Sequence, residues 1–216
     1  MVFRLDQFPS IANQFMAELR STEIQTDKMR FRRNLERMGE ILSYEVSKHL
    51  PHHEVEVETP LGISSIQVPK ESLVICSILR AGIPLHYGIL NFFDHADNAF
   101  VAAYRAHHKD GSFEISLNYL TCPELDGKVL LMADSMLATG SSVEKALEAM
   151  AEFGTPSQIY LISVIASSDA IERMQRLYPH VHIFVGAVDD ELTAKSYIVP
   201  GLGDAGDLAF GKKMQE

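Results

Sequence analysis

The segment that decides the fold covers residues 128–142, Lys-Val-Leu-Leu-Met-Ala-Asp-Ser-Met-Leu-Ala-Thr-Gly-Ser-Ser. Its first part, Val129–Ala133, is an apolar run without alternation, which is typical of a parallel strand covered on both faces. Asp134 follows at the carboxyl end of this strand, where open α/β sheets bind their ligands. Apolar residues at helical spacing from Val143 onward predict a helix that begins near Ser142.

The loop between this strand and helix has the composition of a phosphate-binding cradle. Small side chains let backbone N–H groups converge on an anion, hydroxyls add donors, and the following helix would point its positive end at the same place. The loop residues are Ala138, Thr139, Gly140, Ser141 and Ser142. An ordinary strand-to-helix turn with a serine cap is the alternative. No Lys-Ser or Lys-Thr pair follows Gly140, which disfavours nucleoside triphosphate hydrolysis.

The middle of the chain alternates strand patterns with helical patterns. This order predicts an α/β fold with a parallel sheet flanked by helices on both faces. The predicted strands are 73–79, 99–104, 129–133, 158–166 and 182–185, and the predicted helices are 83–93, one from about 142, and 170–178.

The first seventy residues predict two helices and a hairpin. Apolar residues from Ile11 to Leu19 indicate a short helix, and Thr26 is the predicted cap of a longer helix that ends at His49 or Leu50. The charged face of the longer helix is interpreted as a solvated face with salt pairs. Alternation around a Pro-Leu-Gly turn within 54–68 predicts a β-hairpin at the periphery.

Three further stretches carry features of a binding site. Arg80 follows the buried strand 73–79, and its guanidinium fork suits an oxyanion. Residues 106–112 are polar and rich in turn formers, which predicts a hairpin that could fold over the site and exclude water. An exposed hairpin that never moves is the alternative. The segment 197–211 combines four glycines with many apolar side chains, so it predicts an ordered loop whose backbone could face a flat ligand.

Composition bounds the class of protein. The 216 residues are 46% hydrophobic and 22% charged, which is ordinary for a globular protein, and one domain over 1–216 is the simplest expectation. The net charge of −10 predicts that the chain repels nucleic acid. Without a signal pattern or an apolar stretch of roughly 20 residues, a cytoplasmic location off the membrane is expected. Cys76 and Cys122 are expected to be packing residues, and His180 and His182 exposed side chains rather than zinc ligands, so no metal site of the protein's own is predicted.

Four segments together resemble the uracil phosphoribosyltransferase family. They are Ile78-Leu-Arg-Ala-Gly82, Ala103-Tyr-Arg105, 134–142 and, most distinctively, Tyr197-Ile-Val-Pro-Gly-Leu-Gly-Asp-Ala-Gly-Asp207. Weaker similarity extends over nearly the whole chain. The resemblance implies a type I phosphoribosyltransferase fold with a peripheral hairpin arm and a C-terminal hood over the base. It also implies pyrimidine salvage: ribose 5-phosphate passes from phosphoribosyl pyrophosphate to uracil, giving UMP and pyrophosphate, with Mg²⁺ bound through the donor substrate. GTP binding and a homodimer or higher homo-oligomer are further implications.

The resemblance also assigns roles by position. It implies that Asp134 holds the ribose hydroxyls and that Arg80 and Arg105 engage the diphosphate. It places Asp204 between the base and the ribosyl donor. Residues implied to contact substrate through the loop or the backbone are Ser135, Met136, Leu137, Ala138, Thr139, Gly140, Ser141 and Ser142 at the phosphate, and Ile198, Gly203 and Ala205 at uracil.

The chain departs from the family pattern at several of these positions. Ser135 stands where many members have Pro, Ser141 where many have Gly, and Leu208 where a basic residue is usual. If position 141 needs a positive φ, its Cβ is expected to strain the loop. Two alternatives therefore stay open: a transferase for another base, which 197–207 disfavours, and a non-catalytic nucleotide-binding regulatory protein of the same fold.

Overall fold

The structure is a computed structural model that describes residues 1–70, 72–107 and 113–213, with side chains described outside 103–107 and 113–116. In chain order the described residues form the following helices and strands: β1 (Val2–Arg4), α1 (Ile11–Arg20), α2 (Lys28–Ser47), β2 (His52–Thr59), β3 (Gly62–Pro69), β4 (Leu73–Leu79), α3 (Gly82–Leu90), β5 (Asp97–His107), β6 (Phe113–Thr121), β7 (Val129–Ala133), β8 (Met136–Leu137), α4 (Ser141–Met150), β9 (Gln158–Ser167), α5 (Ser168–Leu177), β10 (Val181–Asp189), β11 (Glu191–Leu192), β12 (Ile198–Val199) and α6 (Ala205–Phe210).

The central sheet has the strand order β1-β10-β9-β7-β4-β5-β6. The short β8 also pairs with β9, on the same side as β7. Every neighbouring pair in it is parallel except β5 and β6, which are antiparallel. The predicted α/β fold with a parallel sheet is confirmed. Because the inner strands run in parallel, the carboxyl ends of β4, β5, β7 and β9 meet along one edge of the sheet.

The two faces of the sheet are covered by different helices. Along β4, Leu73 and Ile75 join a core cluster with residues of α1, α2, α3 and α6. The alternate residues Val74 and Cys76 join a second cluster with residues of α4 and α5. This division follows from the two-residue period of a strand, and it explains why the inner strands are apolar without interruption.

The predicted N-terminal helices are confirmed, with one correction at a cap. Asp27, not Thr26, caps α2, because its Oδ1 accepts hydrogen bonds from the N–H groups of Met29 and Arg30 at 3.0 Å each. The Thr26 hydroxyl instead donates to the Glu23 carbonyl. The predicted charged face does carry salt pairs, for example Arg33 with Glu36 at 2.7 Å.

Strands β2 and β3 form a separate two-stranded antiparallel sheet, which confirms the predicted peripheral hairpin. On one face the cross-strand pairs are Val55 with Ile66 and Val57 with Ser64. The other face carries Glu54, Glu56 and Glu58. Among the helices of the described residues, none is long and apolar enough to cross a membrane.

Candidate functional site

The loop after β7 wraps the N-terminus of α4. Gly140 has a φ of 77° and is the cap residue of α4, so it makes the left-handed turn that starts the helix. The Thr139 hydroxyl donates to Ser141 Oγ at 3.1 Å and accepts from the Ser141 N–H at 3.3 Å. The N–H groups of a first helical turn have no acceptor within the helix, so this turn presents donors to an anion.

Ser141 does not have the strained backbone that the sequence led us to expect. It is the first residue of α4, and the positive φ falls on Gly140. Ser141 and Ser142 are both partly exposed. Their hydroxyls can therefore add donors to the cradle without a conformational cost. The expected strain from a Cβ at position 141 does not arise.

Residues 135–137 form the buried part of the loop, between β7 and the cradle. Ser135 and Leu137 are fully buried, and the Ser135 hydroxyl has no hydrogen-bond partner among the described residues. The Ser135 carbonyl accepts from the Ile165 N–H at 3.2 Å, and β8 continues this pairing onto β9. The side chains of Ser135 and Leu137 thus support the cradle from within, whereas Ala138 and Thr139 lie at its partly exposed surface.

Asp134 leaves the end of β7, where the Met136 N–H donates to its Oδ1 at 3.3 Å. Burial raises the pKa of Asp134 to about 7, since removing the carboxylate from water disfavours its charged form, and the Met136 hydrogen bond opposes this only in part. A carboxyl with a pKa near neutrality at a strand end is typical of functional sites. In its ionised form it can accept hydrogen bonds from sugar hydroxyls.

Arg80 lies at the end of the neighbouring strand β4 and is 39% exposed. The turn that follows packs tightly against the end of β7, because a Cβ on Gly82 would lie 2.7 Å from Ser77 Oγ and 2.8 Å from the Ala133 carbonyl. The Arg80 guanidinium contacts residues 197–211, hereafter the C-terminal segment, where Nη2 donates to Asp207 Oδ1 at 2.9 Å. The structure therefore brings three of the sequence-predicted segments to one edge of the sheet.

A partly buried ion pair holds the C-terminal segment in place. Arg20 donates from Nη1 and Nη2 to the two carboxylate oxygens of Asp189, each at 2.8 Å, and Nη1 also donates to the Gly201 carbonyl at 3.1 Å. The Gly201 N–H returns a hydrogen bond to Asp189 at 2.8 Å. Burial by itself would raise the pKa of Asp189, but the hydrogen bonds from Arg20 and Gly201 outweigh it and lower that pKa.

The proposed base-contacting residues follow from this anchor. Ile198 is buried in β12, which pairs with β11, and Ala205 is buried at the start of α6. Gly203 has a φ of 93°, which only glycine adopts easily. Asp204 caps α6 by accepting from the Asp207 N–H at 3.0 Å. The segment is ordered, as the sequence predicted, but it is not a loop throughout, because it contains the strand β12 and the helix α6.

Some predicted features lie outside the described part of the chain. Arg105 belongs to β5, but its side chain is outside the described residues, as are residues 108–112 of the predicted hairpin over the site. Among the described residues, no three His, Cys, Asp or Glu side chains come together as metal ligands. The His182 ring packs against Tyr160, with 5.2 Å between ring centroids.

Comparison with known proteins assigns the family. The uracil phosphoribosyltransferase family model matches residues 9–212. The chain belongs to the uracil phosphoribosyltransferase family. The uracil phosphoribosyltransferase of Porphyromonas gingivalis is 45% identical over 214 residues, which cover 99% of both chains. That of Pyrococcus furiosus is 37% identical, covering 99% of this chain and 91% of its own. The solved structure of the AQ2163 protein from Aquifex aeolicus has a TM-score of 0.87 and 30% identity, covering 99% of this chain and all of its own.

Three residues of this uracil phosphoribosyltransferase family member support the candidate site but were not predicted from the sequence: Arg20, Ser167 and Asp189. Asp207 lay in the recognised motif 197–207 without an assigned role, and the structure pairs it with Arg80. Ser167 carries a usable signal, because a serine between an apolar strand and a helical pattern is a cap signature. Arg20 and Asp189 carry none, since 169 residues separate them.

Proposed function

We propose that this family member transfers ribose 5-phosphate from phosphoribosyl pyrophosphate to uracil at the sheet edge described above, giving UMP and pyrophosphate. The observation that carries this assignment is the grouping of the cradle after β7, Asp134 and Arg80 with the C-terminal segment. Each supplies one part of what the reaction needs: donors for a phosphate, a carboxylate for ribose, a guanidinium for a diphosphate and backbone for a base.

The reaction is a substitution at an anomeric carbon with an oxocarbenium-like transition state. Residues 138–142 bind the 5′-phosphate, and Asp134 accepts hydrogen bonds from the ribose hydroxyls, which places a carboxylate near the positive ring. Arg80 and Arg105 bind the departing diphosphate. Donors aimed at charge that develops in the transition state lower the barrier more than they strengthen substrate binding.

The base is held by main-chain groups of the C-terminal segment. Ile198, Gly203 and Ala205 present N–H and C=O groups to the edge of uracil, and Asp204 lies between the base and the ribosyl donor. The anchor of Arg20 and Asp189 on Gly201 supports this proposal, because backbone contacts select a base only when the loop is rigid.

The donor substrate brings Mg²⁺ in this proposal. Asp134 fits such an ion as an indirect partner, since Mg²⁺ usually keeps several waters and takes other ligands from substrate phosphates. The ion would neutralise charge on the diphosphate leaving group. Asp134 would face it across the ribose hydroxyls or water.

Turnover tests the function directly. The purified protein is mixed with uracil, phosphoribosyl pyrophosphate and Mg²⁺, and cytosine, adenine, hypoxanthine and orotate serve as parallel acceptors. We expect UMP from uracil alone, and a loss of about 100- to 1,000-fold in rate for Arg80→Ala or Arg105→Ala. Activity within about twofold of wild type would remove that arginine from the site. Product from another base would overturn the uracil assignment.

We further propose that the chain assembles as a homodimer or a larger homo-oligomer through the hairpin of β2 and β3. Val57 and Ile66, which share one face of the hairpin, are 41% and 46% exposed, and Leu61 at its turn is fully exposed. A two-stranded hairpin is marginally stable in water unless something covers it. Light scattering coupled to size exclusion tests this: an Ile66→Glu variant that keeps the wild-type mass would exclude the hairpin from the interface.

The remaining proposals concern the chain as a whole. One domain over 1–216 agrees with a family model that matches 9–212. We also propose a cytoplasmic location, and the net charge of −10 agrees with small-molecule rather than nucleic-acid substrates.

A further inference from the structure

The guanidinium of Arg80 is already occupied within the chain. Nη2 donates to Asp207 Oδ1 at 2.9 Å, and Nη1 donates to the Gly211 carbonyl at 3.3 Å. Arg80 follows β4, whereas Asp207 lies in α6 and Gly211 just after it. The contact therefore joins the turn proposed to bind diphosphate to the helix that follows the proposed base-contacting residues.

A carboxylate and a diphosphate compete for the same donors. The guanidinium fork binds carboxylate and phosphate oxygens with the same geometry, and it favours the group with the greater negative charge. The side chains of Arg80 and Asp207 are 39% and 27% exposed, so the pair lies within reach of a ligand. A partly exposed ion pair contributes little free energy, so replacing the carboxylate by a diphosphate costs little.

We propose that Asp207 holds the Arg80 guanidinium while the diphosphate is absent and gives it up when the diphosphate binds. Asp207 is then a competing acceptor that the diphosphate must displace, and through it diphosphate binding is coupled to the C-terminal segment. This inference rests on the proposed role of Arg80 in binding the diphosphate.

The backbone around Asp207 allows its carboxylate to leave without unfolding the helix. The Asp207 N–H donates to Asp204 Oδ1 at 3.0 Å, and the Asp207 carbonyl accepts from the Gly211 N–H at 2.8 Å. Neither bond involves the Asp207 carboxylate. The Asp207 N–H donates to Asp204, which is proposed to lie beside the base. A shift of Asp207 when the diphosphate binds would therefore be passed to the base-binding side through the Asp204–Asp207 contact.

The test is titration calorimetry with magnesium pyrophosphate and no base present. Asp207→Asn removes the competing charge and keeps the shape, so we expect pyrophosphate to bind about two- to fivefold more tightly than to wild type. Glu36→Gln is the matched control, because Glu36 pairs with Arg33 at 2.7 Å and the two side chains are 27% and 43% exposed. This control should leave the affinity unchanged, and an equal gain in both variants would overturn the inference.

A double-mutant cycle separates the ion pair from simple charge repulsion. In an Arg80→Ala background, Asp207→Asn should give no gain, because the competition acts only through Arg80. A gain of the same size in that background would overturn the inference and indicate repulsion alone. If Arg80→Ala weakens pyrophosphate binding while Asp207→Asn has no effect, the inference fails and the role of Arg80 stands. If Arg80→Ala leaves the affinity unchanged, both fail.

Discussion

The Ser167 hydroxyl donates to the Ala138 carbonyl at 2.6 Å and accepts from the Ala170 N–H at 3.0 Å. One buried side chain therefore caps α5 and holds the backbone of the phosphate cradle. The position of the cradle thus depends on a helix that contributes no residue to it.

Ser167→Ala should weaken both functions of this hydroxyl. Loss of the cap is expected to lower the free energy of unfolding by about 1 kcal/mol. Loss of the bond to Ala138 leaves the cradle less well positioned, so the KM for phosphoribosyl pyrophosphate should rise about two- to tenfold. Steady-state kinetics and urea unfolding measure the two effects.

Ser10→Ala is the control for this variant. Ser10 caps α1 in the same way, by accepting from the Ala12 N–H at 3.3 Å, but it does not contact the cradle. This control should lose stability and keep its KM. If both variants changed the KM equally, the tie between Ser167 and Ala138 would have no role in binding.

Gly140 and Ser141 give opposite predictions although they are adjacent. Gly140→Ala keeps an acceptable distance of 3.4 Å to Met174 Sδ, but its φ of 77° costs an L-residue about 1 kcal/mol or more. Ser141→Gly relieves no strain, since Ser141 has a helical conformation, so it should not stabilise the protein. Thermal unfolding of both variants decides: a Ser141→Gly variant that unfolds at a higher temperature than wild type would contradict the assigned backbone.

The sequence predicted features that depend on neighbours in the chain. The structure confirms the strand at Val129–Ala133 and the helix that begins after the small residues that follow Asp134. The glycine-rich tail was predicted as an ordered loop, and the helix α6 within it was missed. The family resemblance added the roles. β1 was missed because three residues, Val2–Arg4, are too few to show a period.

Contacts between distant residues could not be predicted in this way. Asp189 ends β10, and nothing nearby in the sequence indicates that Arg20 of α1 will pair with it. Asp207 was recognised as part of a motif, but its partner Arg80 is 127 residues away. At the α2 cap, Thr26 and Asp27 are both good cap residues, and the chain geometry chose the second. Such contacts depend on the tertiary fold, and local sequence propensity does not determine them.

Arg20→Lys should affect the base and leave the ribosyl donor alone. Lysine keeps the charge beside Asp189 but lacks the planar fork that also reaches the Gly201 carbonyl. The loop after β12 is then less well held, so we expect the KM for uracil to rise about two- to tenfold with little change in the KM for phosphoribosyl pyrophosphate.

Arg4→Lys controls for the general loss of an arginine fork. Arg4 pairs with Asp6 through Nε at 3.0 Å and Nη2 at 2.8 Å, near the same end of β10. This variant should keep both KM values. A rise in the KM for phosphoribosyl pyrophosphate in Arg20→Lys, equal to that for uracil, would mean that the anchor acts on the whole site.

The raised pKa of Asp134 makes stability depend on pH. The pKa is about 7 in the folded protein and 3.8 as the ordinary value, so the folded state binds this proton more tightly than the unfolded state. The contribution to stability is fully present below about pH 4 and is lost as the pH rises through about 7. Asp134→Asn removes the ionisable group, so its stability relative to wild type should increase over this range.

Unfolding of Asp134→Asn and wild type at about pH 4 and about pH 8 tests this directly. We expect little difference at the lower pH and a gain of about 1–3 kcal/mol for the variant at the higher pH, because the partly exposed carboxylate is screened by water. Asp169→Asn is the control, since Asp169 is an exposed aspartate on α5 outside the cradle, and it should show no such change with pH. Asp134→Asn should also lose most transferase activity while it gains stability, which is the pattern of a carboxylate kept for function. A difference of the same size at both pH values would instead mean that folding does not raise the pKa of Asp134.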